Sequence, residues 1–395
     1  MTNKKYLFDT NALLLFPHLL NLDGTKIIPY TVLRELDKLK TGFNEIAYTA
    51  RDVVRKIKYS GDIIFDSNFN YPSGEDNNDD IIIECAKSNN AILISGDFLV
   101  QLKAKSFGVD VFDIDGLNDD YLGYKDVNLT DEEIAYLYEH LTENIYGLLQ
   151  NEYLIVRNTN GDLIDTLVWD GQKLNFAHHK GVSSQMFGKL KPLDPYQIIA
   201  LDSLSRNQMT MLKGKAGSGK SLIALSYAWS QIEKNKYDKL IIFSNPIASR
   251  GSTKLGFYPG TRTEKLMNST LGSMLSSKFG DPMTVEMFIT QNKIELLPFA
   301  DIRGWDSTGM NAIIYFSEAQ NLDIELMRLG ISRCSEDSKV ILDGDYSSQV
   351  DSDMFAGMNN GMKRVSEVFR GKNFYGEVYL PNIYRSKMAE IAQLL

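Results

Sequence analysis

The sequence is short of the residues that staple, anchor or metallate a chain. In 395 residues it has two cysteines, Cys85 and Cys334, and four scattered histidines. That excludes a disulfide framework and a cysteine-built zinc cluster. No apolar run approaches the ~20 residues of a membrane span. Met1-Thr-Asn-Lys-Lys-Tyr6 leads into an apolar stretch of only about four to five residues, so no signal peptide is expected. There is no internal repeat and no low-complexity tail. The apolar share is 43% and the charged share 24%, values of a globular protein. The expectation is a cytoplasmic protein without a membrane segment, of two or three domains at ~150 residues each.

The net charge of −9 at first argues against a nucleic-acid partner, but it is unevenly spread. Residues 1–115 carry a net of −4, residues 116–190 a net of −7 and residues 191–395 a net of +2. The last half is neutral enough to hold a local basic groove.

An α/β rhythm runs through the first 115 residues. Tyr6-Leu-Phe8 reads as a strand, Glu45 to Tyr59 as a helix, Asp79 to Ser88 as a helix and Ala91 to Ser95 as a strand. Asp97 to Phe107 reads as a helix and Val109 to Phe112 as a closing strand. Such alternation implies a parallel sheet with crossover helices. Residues 116–130 look like a linker, and Thr130-Asp-Glu-Glu133 like a capping box opening a helix. Short alternating segments, Tyr153–Val156 and Leu163–Val168, are set off by turns at Asn160-Gly161 and Asp170-Gly171. They suggest a small antiparallel β unit. After Pro192 the α/β rhythm returns. The expected fold is therefore an α/β chain of three parts: a parallel-sheet domain over 1–115, a linker with a small β unit over 116–190, and a P-loop (RecA-like) α/β domain over 191–395.

The strongest motif is Gly214-Lys215-Ala216-Gly217-Ser218-Gly219-Lys220-Ser221, which satisfies G-x-x-x-x-G-K-[ST]. Met209 to Leu212 is strand-like before it, and Leu222 onward continues as a helix. Glycines let backbone N–H groups curl around phosphate oxygens, and the helix N-terminus adds positive potential. Lys220 is placed to reach the β and γ phosphates of ATP, and Ser221 to offer its hydroxyl to Mg²⁺. A hydrolase also needs a strand ending in acids. Ala312 to Phe316 is that strand, with Glu318 placed as the base that activates water. The position before it, usually Asp, is Ser317, which supplies no carboxylate. Either hydrolysis is weakened or another acid, such as Asp343 or Asp345, substitutes. A third strand, Lys339 to Asp343, runs into Gly344-Asp345 and on to Gln349. That turn can bring a carboxylate or amide near the γ-phosphate.

Together with Pro195-Tyr-Gln197, Asn245-Pro246, Gly256-Phe-Tyr-Pro-Gly260, Arg303-Gly304, Glu318-Ala-Gln-Asn321 and Arg385-Ser386, these motifs resemble the PhoH family of P-loop ATPases, relatives of superfamily 1 helicases. By that resemblance Gln197 reads the adenine edge and Arg385 reaches a neighbouring subunit's nucleotide in a ring such as a hexamer. Arg333 is a second candidate for a phosphate contact. The family has Asp where this chain has Ser317.

Four carboxylates mark the first part. Asp9 follows the first strand, Glu35 lies on the helix after Ile27-Ile28-Pro29, Asp79 opens the next long helix, and Asp97 follows Ile92 to Gly96. At the carboxyl edge of a parallel sheet they can converge, where they suit one or two Mg²⁺ or Mn²⁺ ions. They serve equally well as helix caps and solvated turns. In order and spacing the set resembles the PIN-domain nucleases, with Asn11 and Ser95 as supporting polar groups and Asp80 as a rival to Asp79. The PIN–PhoH resemblance covers nearly the whole chain and implies an ATP-dependent RNA-processing enzyme. A P-loop ATPase or helicase would be coupled to a metal-dependent endoribonuclease acting on single-stranded RNA. The alternative is a nucleotide-switched RNA-binding scaffold with little turnover, motivated by Ser317.

Three further places invite a role. Phe257, Tyr258 and Arg262 could stack and grip bases, and Trp305 has the same choice between base and core. His178 and His179 point to opposite faces if on a strand, which disfavours joint metal ligation.

Overall fold

Lys5–Phe8 forms the first strand, β1, because Tyr6, Leu7 and Phe8 can all be buried at once. Parallel strands covered on both faces read as such unbroken apolar runs. In this computed structural model the described residues are 4–41, 45–66, 78–112, 121–244, 275–277, 279–346 and 360–384. They belong to two compact units, Met1–Asp120 and Tyr121–Leu395.

In the first unit β1 is followed by α1 (Thr10–Leu15), β2 (Thr25–Pro29), α2 (Tyr30–Leu39) and α3 (Glu45–Tyr59). Then come β3 (Ile63–Asp66), α4 (Asn78–Ser88), β4 (Ile92–Ile94) and α5 (Phe98–Ser106). The sheet order is β3-β2-β1-β4, with every pairing parallel. The expected strand at Val109–Phe112 is reduced to one bridge between Val111 and Leu93. Leu93 bonds Asp110 and Phe112 on either side of that bridge, and no wider ladder forms among the described residues.

The second unit opens with β5 (Tyr124–Leu129), a stretch whose polar sequence reads as linker. It is an edge strand: Tyr124 and Leu129 are buried while Lys125, Asp126 and Asn128 face outward. It pairs parallel with β6 (Tyr153–Asn158), which runs antiparallel to β7 (Leu163–Trp169), itself antiparallel to β8 (Leu174–Phe176). The small β unit is thus mixed rather than purely antiparallel. Between β5 and β6 lies α6 (Asp131–Glu139), opened by a complete capping box in which Thr130 and Glu133 bond reciprocally. Thr130→Ala is expected to cost about 1 kcal/mol, measurable as a shift in urea midpoint with unchanged slope. A hairpin of β9 (Val182–Ser184) and β10 (Gly188–Leu190) follows.

The main sheet is built from β11 (Met209–Lys213), β12 (Lys239–Ser244), β13 (Ile294–Pro298), β14 (Ala312–Phe316), β15 (Lys339–Gly344) and β16 (Tyr375–Tyr379). Its order is β13-β12-β14-β15-β11-β16, all parallel. On one face Leu212, Ile242, Ile313, Tyr315, Ile341 and Val378 share a core with α7 (Pro195–Arg206) and α8 (Lys220–Glu233). On the other, Met211, Phe243, Phe316 and Leu342 pack with α10 (Ile324–Ser332) and α11 (Gly361–Phe369); α9 (Pro282–Thr290) precedes β13. Tyr153, Ile155 and Val168 of the small β unit join the α7–α8 core. Among the described residues no helix is long and apolar enough to cross a membrane.

Candidate functional site

Ligand sites in open parallel sheets gather beyond the carboxyl ends of the strands. There the chain leaves β11 at Lys213 and turns through Gly214 to Gly219 into α8. Gly214 has φ +144°, and a Cβ on it would lie 2.5 Å from the Leu380 carbonyl oxygen. Gly219, the residue before α8, has φ +95°. Only glycine takes these two conformations without strain. Gly214→Ala is expected to weaken nucleotide affinity at least about tenfold, because the neighbour it meets is backbone and cannot yield. Equilibrium binding of a fluorescent ATP analogue measures this.

The side chains of the loop suit phosphate. Lys220 Nζ donates to the Gly214 carbonyl at 2.5 Å and to that of Lys215 at 3.0 Å. The Ser218 hydroxyl is buried without a hydrogen-bond partner. Ser221, in the first turn of α8, donates to Asp343 Oδ2 at 2.6 Å. Asp343 lies near the end of β15, and its other oxygen accepts the Glu318 backbone N–H at 3.0 Å. Glu318 itself is exposed at φ 55°, a left-handed conformation unusual for a side chain with a Cβ. Such strain gathers at functional sites. Gln320 ties the two loops together: its Nε2 donates to Glu318 Oε2 at 2.6 Å, and its Oε1 accepts the Asp345 N–H at 3.3 Å. Ser317 is buried beside them.

Above the loop, Gln197 is buried on α7, with its Nε2 3.6 Å from where a Cβ on Gly219 would stand. Its Oε1 accepts the Leu193 N–H at 3.0 Å. Asp194 caps the same helix at Gln197 N (2.7 Å) and accepts from Asn382 Nδ2 (2.8 Å) and the Tyr384 hydroxyl (2.5 Å). The Tyr384 N–H donates to the Gly217 carbonyl at 3.0 Å. Tyr384 and Asn382 were not visible as site residues in the sequence; their only signal is proximity to Arg385. Arg385, Gln349, Asn245, Pro246, Phe257, Tyr258 and Arg262 lie outside the described residues.

Arg333 is corrected. It caps the carboxyl end of α10, where its carbonyl accepts from Ser307, ahead of β14. That is the amino edge of the sheet, opposite the P-loop. The Arg333 backbone thus stands at the other end of the sheet from the loop. Trp305 packs edge-to-face on Phe243 at 4.9 Å and belongs with the core. The two histidines part company: His178 stacks on Phe176 and approaches Asp165, while His179 faces Ser205 and the Gly181 N–H.

In the first unit Asp9 follows β1, buried, accepting from the Ser95 hydroxyl (2.5 Å) and the Asn11 N–H (2.9 Å). Burial pushes its carboxyl above the ordinary range against those hydrogen bonds, and the charges of Glu35 and Asp79 push the same way. These three acids are thus electrostatic neighbours. Glu35 accepts from the Thr10 hydroxyl and from Asn78 Nδ2 at 2.5 Å. Asp80 pairs instead with Lys103 at 3.3 Å, which favours Asp79 as the member facing Asp9. Asp97 turns its Oδ1 onto the Leu99 and Val100 N–H groups as the cap of α5. Its own N–H donates to Ser95 Oγ at 3.1 Å. Among the described residues no three His, Cys, Asp or Glu side chains stand close enough to hold one ion. Carboxylates are the donor type that a divalent cation takes, but Asp9, Glu35 and Asp79 as placed do not form such a group.

The second unit is thus defined as a P-loop nucleotide-binding α/β fold, preceded by a parallel α/β unit with acids at its carboxyl edge. Residues 189–393 match the PhoH-like protein family and residues 6–115 the PIN domain. The chain belongs to the PhoH-like protein family, with a PIN domain ahead of its P-loop unit. Two relatives, both named Protein PhoH2, align along nearly all of it. That of Thermobispora bispora is 25% identical over 433 residues, covering 98% of this chain and 95% of the relative. That of Bacillus subtilis is 27% identical over 453 residues, covering 99% of each. Among solved structures the UvsW helicase of bacteriophage T4 is similar at TM-score 0.31 and 12% identity, over 52% of this chain and 64% of that one. That likeness is slight.

Proposed function

We propose that this protein is an ATP-driven RNA-processing enzyme whose P-loop unit hydrolyses ATP as it moves or opens single-stranded RNA, and whose PIN unit cuts that RNA with a divalent metal. The observation that carries the reading is the P-loop edge. Ser221 bonds Asp343 near the end of β15, beside the exposed Glu318 carboxylate, which Gln320 ties to the Asp345 loop. Lys220 would offset charge on the transferring phosphate, Gln197 would sit by the base, and Glu318 would take the proton of the attacking water. A magnesium ion bound with the nucleotide would supply charge neutralisation between its phosphates. Asp9, Glu35 and Asp79 would hold the ion of the PIN unit, with Asp97 beside them. Arg385 and Gln349 would complete the nucleotide site in a ring of like subunits working in the cytoplasm.

The experiment is RNA cleavage and phosphate release measured together. Asp9→Asn is expected to lower cleavage at least about 100-fold while phosphate release persists. Lys220→Ala is expected to abolish release and slow the cleavage of structured RNA. Cleavage indifferent to Lys220→Ala on every substrate would break the coupling. A nucleotide-switched scaffold, the alternative motivated by Ser317, instead requires tight ATP binding with no release.

A further inference from the structure

Just past strand β14 stands Ser317, a residue with no carboxylate to offer a nucleotide's metal ion. We propose that Asp343, on the neighbouring strand β15, supplies that carboxylate, and that the Tyr315 hydroxyl steadies it. This rests on the nucleotide-hydrolysing reading above and assigns the metal side of the same site.

Sheet register makes the exchange geometrically simple. Phe316 pairs with Leu342, so Ser317 and Asp343 occupy the next rung. Adjacent strands are ~4.8 Å apart and residues on one rung face the same side. Two positions back, Tyr315 and Ile341 both lie in the core beneath α8, whereas Phe316 and Leu342 lie in the opposite one. Asp343 therefore projects toward the start of α8, and there it accepts the Ser221 hydroxyl at 2.6 Å. Its remaining oxygen is fixed by the Glu318 N–H at 3.0 Å. A serine hydroxyl in the first turn after a P-loop lysine, bonded to a buried carboxylate, is the protein half of a magnesium–nucleotide site.

A second, independent feature points into the same spot. The Tyr315 hydroxyl is fully buried within reach of the Ser317, Ser221 and Asp343 side chains, but meets none of them in good hydrogen-bond geometry. A buried hydroxyl this poorly satisfied destabilises the fold. It acquires a use if Ser221 turns from Asp343 to the metal, because the phenol can then donate to the carboxylate in its place. Asp345 lies past the end of β15, and its N–H is held by Gln320.

The test is binding of a non-hydrolysable ATP analogue to the full chain, by calorimetry, with Mg²⁺ and with EDTA. Wild type should bind at least about tenfold tighter with Mg²⁺. Asp343→Asn should lose most of that gain while keeping its affinity in EDTA within about threefold, and Asp345→Asn should keep the gain. Adding Ser317→Asp to Asp343→Asn should restore it. Tyr315→Phe, which keeps the ring in the core, should lose part of the gain with unchanged affinity in EDTA. The full gain in Asp343→Asn, or its loss in Asp345→Asn alone, would overturn the assignment. If Asp343→Asn does not fold, the double variant decides: folded with the gain it sustains the assignment, folded without it the assignment fails. A wild-type chain that binds the analogue in neither condition would sink both this assignment and the nucleotide-driven reading.

Discussion

Glu377→Ala will cost the P-loop unit about 3–5 kcal/mol, the loss expected when one partner of a buried ion pair is removed. Glu377 on β16 is essentially inaccessible and pairs with Lys213, the last residue of β11. Its carboxylate also accepts from the Ser366 hydroxyl at 2.9 Å and the Tyr375 hydroxyl at 2.7 Å. Without it the Lys213 ammonium retains, among the described residues, the Tyr121 carbonyl and Tyr346, whose hydroxyl is 3.2 Å away. Burial works to lower the Lys213 pKa, but the Glu377 carboxylate and the Tyr346 phenol together outweigh it and hold the group above the ordinary lysine value. A raised lysine contributes stability that is fully present below its unfolded pKa and is lost as pH rises through the folded one. The lysine's contribution should therefore be constant around neutrality and be lost in alkali. For a unit of this size the Ala variant should melt roughly 6–20 °C lower. Lys213→Met/Glu377→Leu, which removes both charges, should recover most of the loss. Because Lys213 directly precedes Gly214, Glu377→Ala should also loosen the phosphate loop and weaken nucleotide binding.

Glu318→Gln will lower ATP hydrolysis by about 100–10,000-fold, the range of a lost general base, while leaving nucleotide affinity nearly unchanged. The amide keeps the shape of the side chain and can still accept from Gln320 Nε2, so the left-handed turn at Glu318 should survive. The change falls on the proton acceptor alone. Lys220→Ala makes the contrasting case: it removes the cation from the phosphates, so binding and hydrolysis should fall together. Single-turnover phosphate release beside equilibrium binding separates the two. Equal losses of affinity in both variants would mean that Glu318 binds rather than acts as a base.

The P-loop was legible because its chemistry is contiguous: eight residues between an apolar strand and an apolar helix define both the loop and its ligand. The Ser221–Asp343 bond was not, since it spans 122 positions and exists only because β15 lies between β14 and β11. Composition flagged Asp343 as a substitute acid but could not choose it over Asp345. Arg333, a candidate by family resemblance alone, sits where α10 returns the chain to the amino edge of the sheet, a placement that depends on the whole fold. In the first part the order of Asp9, Glu35, Asp79 and Asp97 was readable. That Asp9 feels the charges of Glu35 and Asp79 while Asp97 caps α5 depends on side-chain rotamers, which no pattern encodes. β5 escaped notice because an edge strand with outward Lys125, Asp126 and Asn128 has the composition of a loop.

If RNA drives ATP hydrolysis at the P-loop edge, as proposed, phosphate release from ATP with Mg²⁺ should respond to single-stranded RNA. Measured in wild type and in Glu318→Gln, release should be stimulated by RNA in wild type and should disappear in Glu318→Gln. Tight ATP binding with no release, or release that is the same in both proteins, would rule that function out.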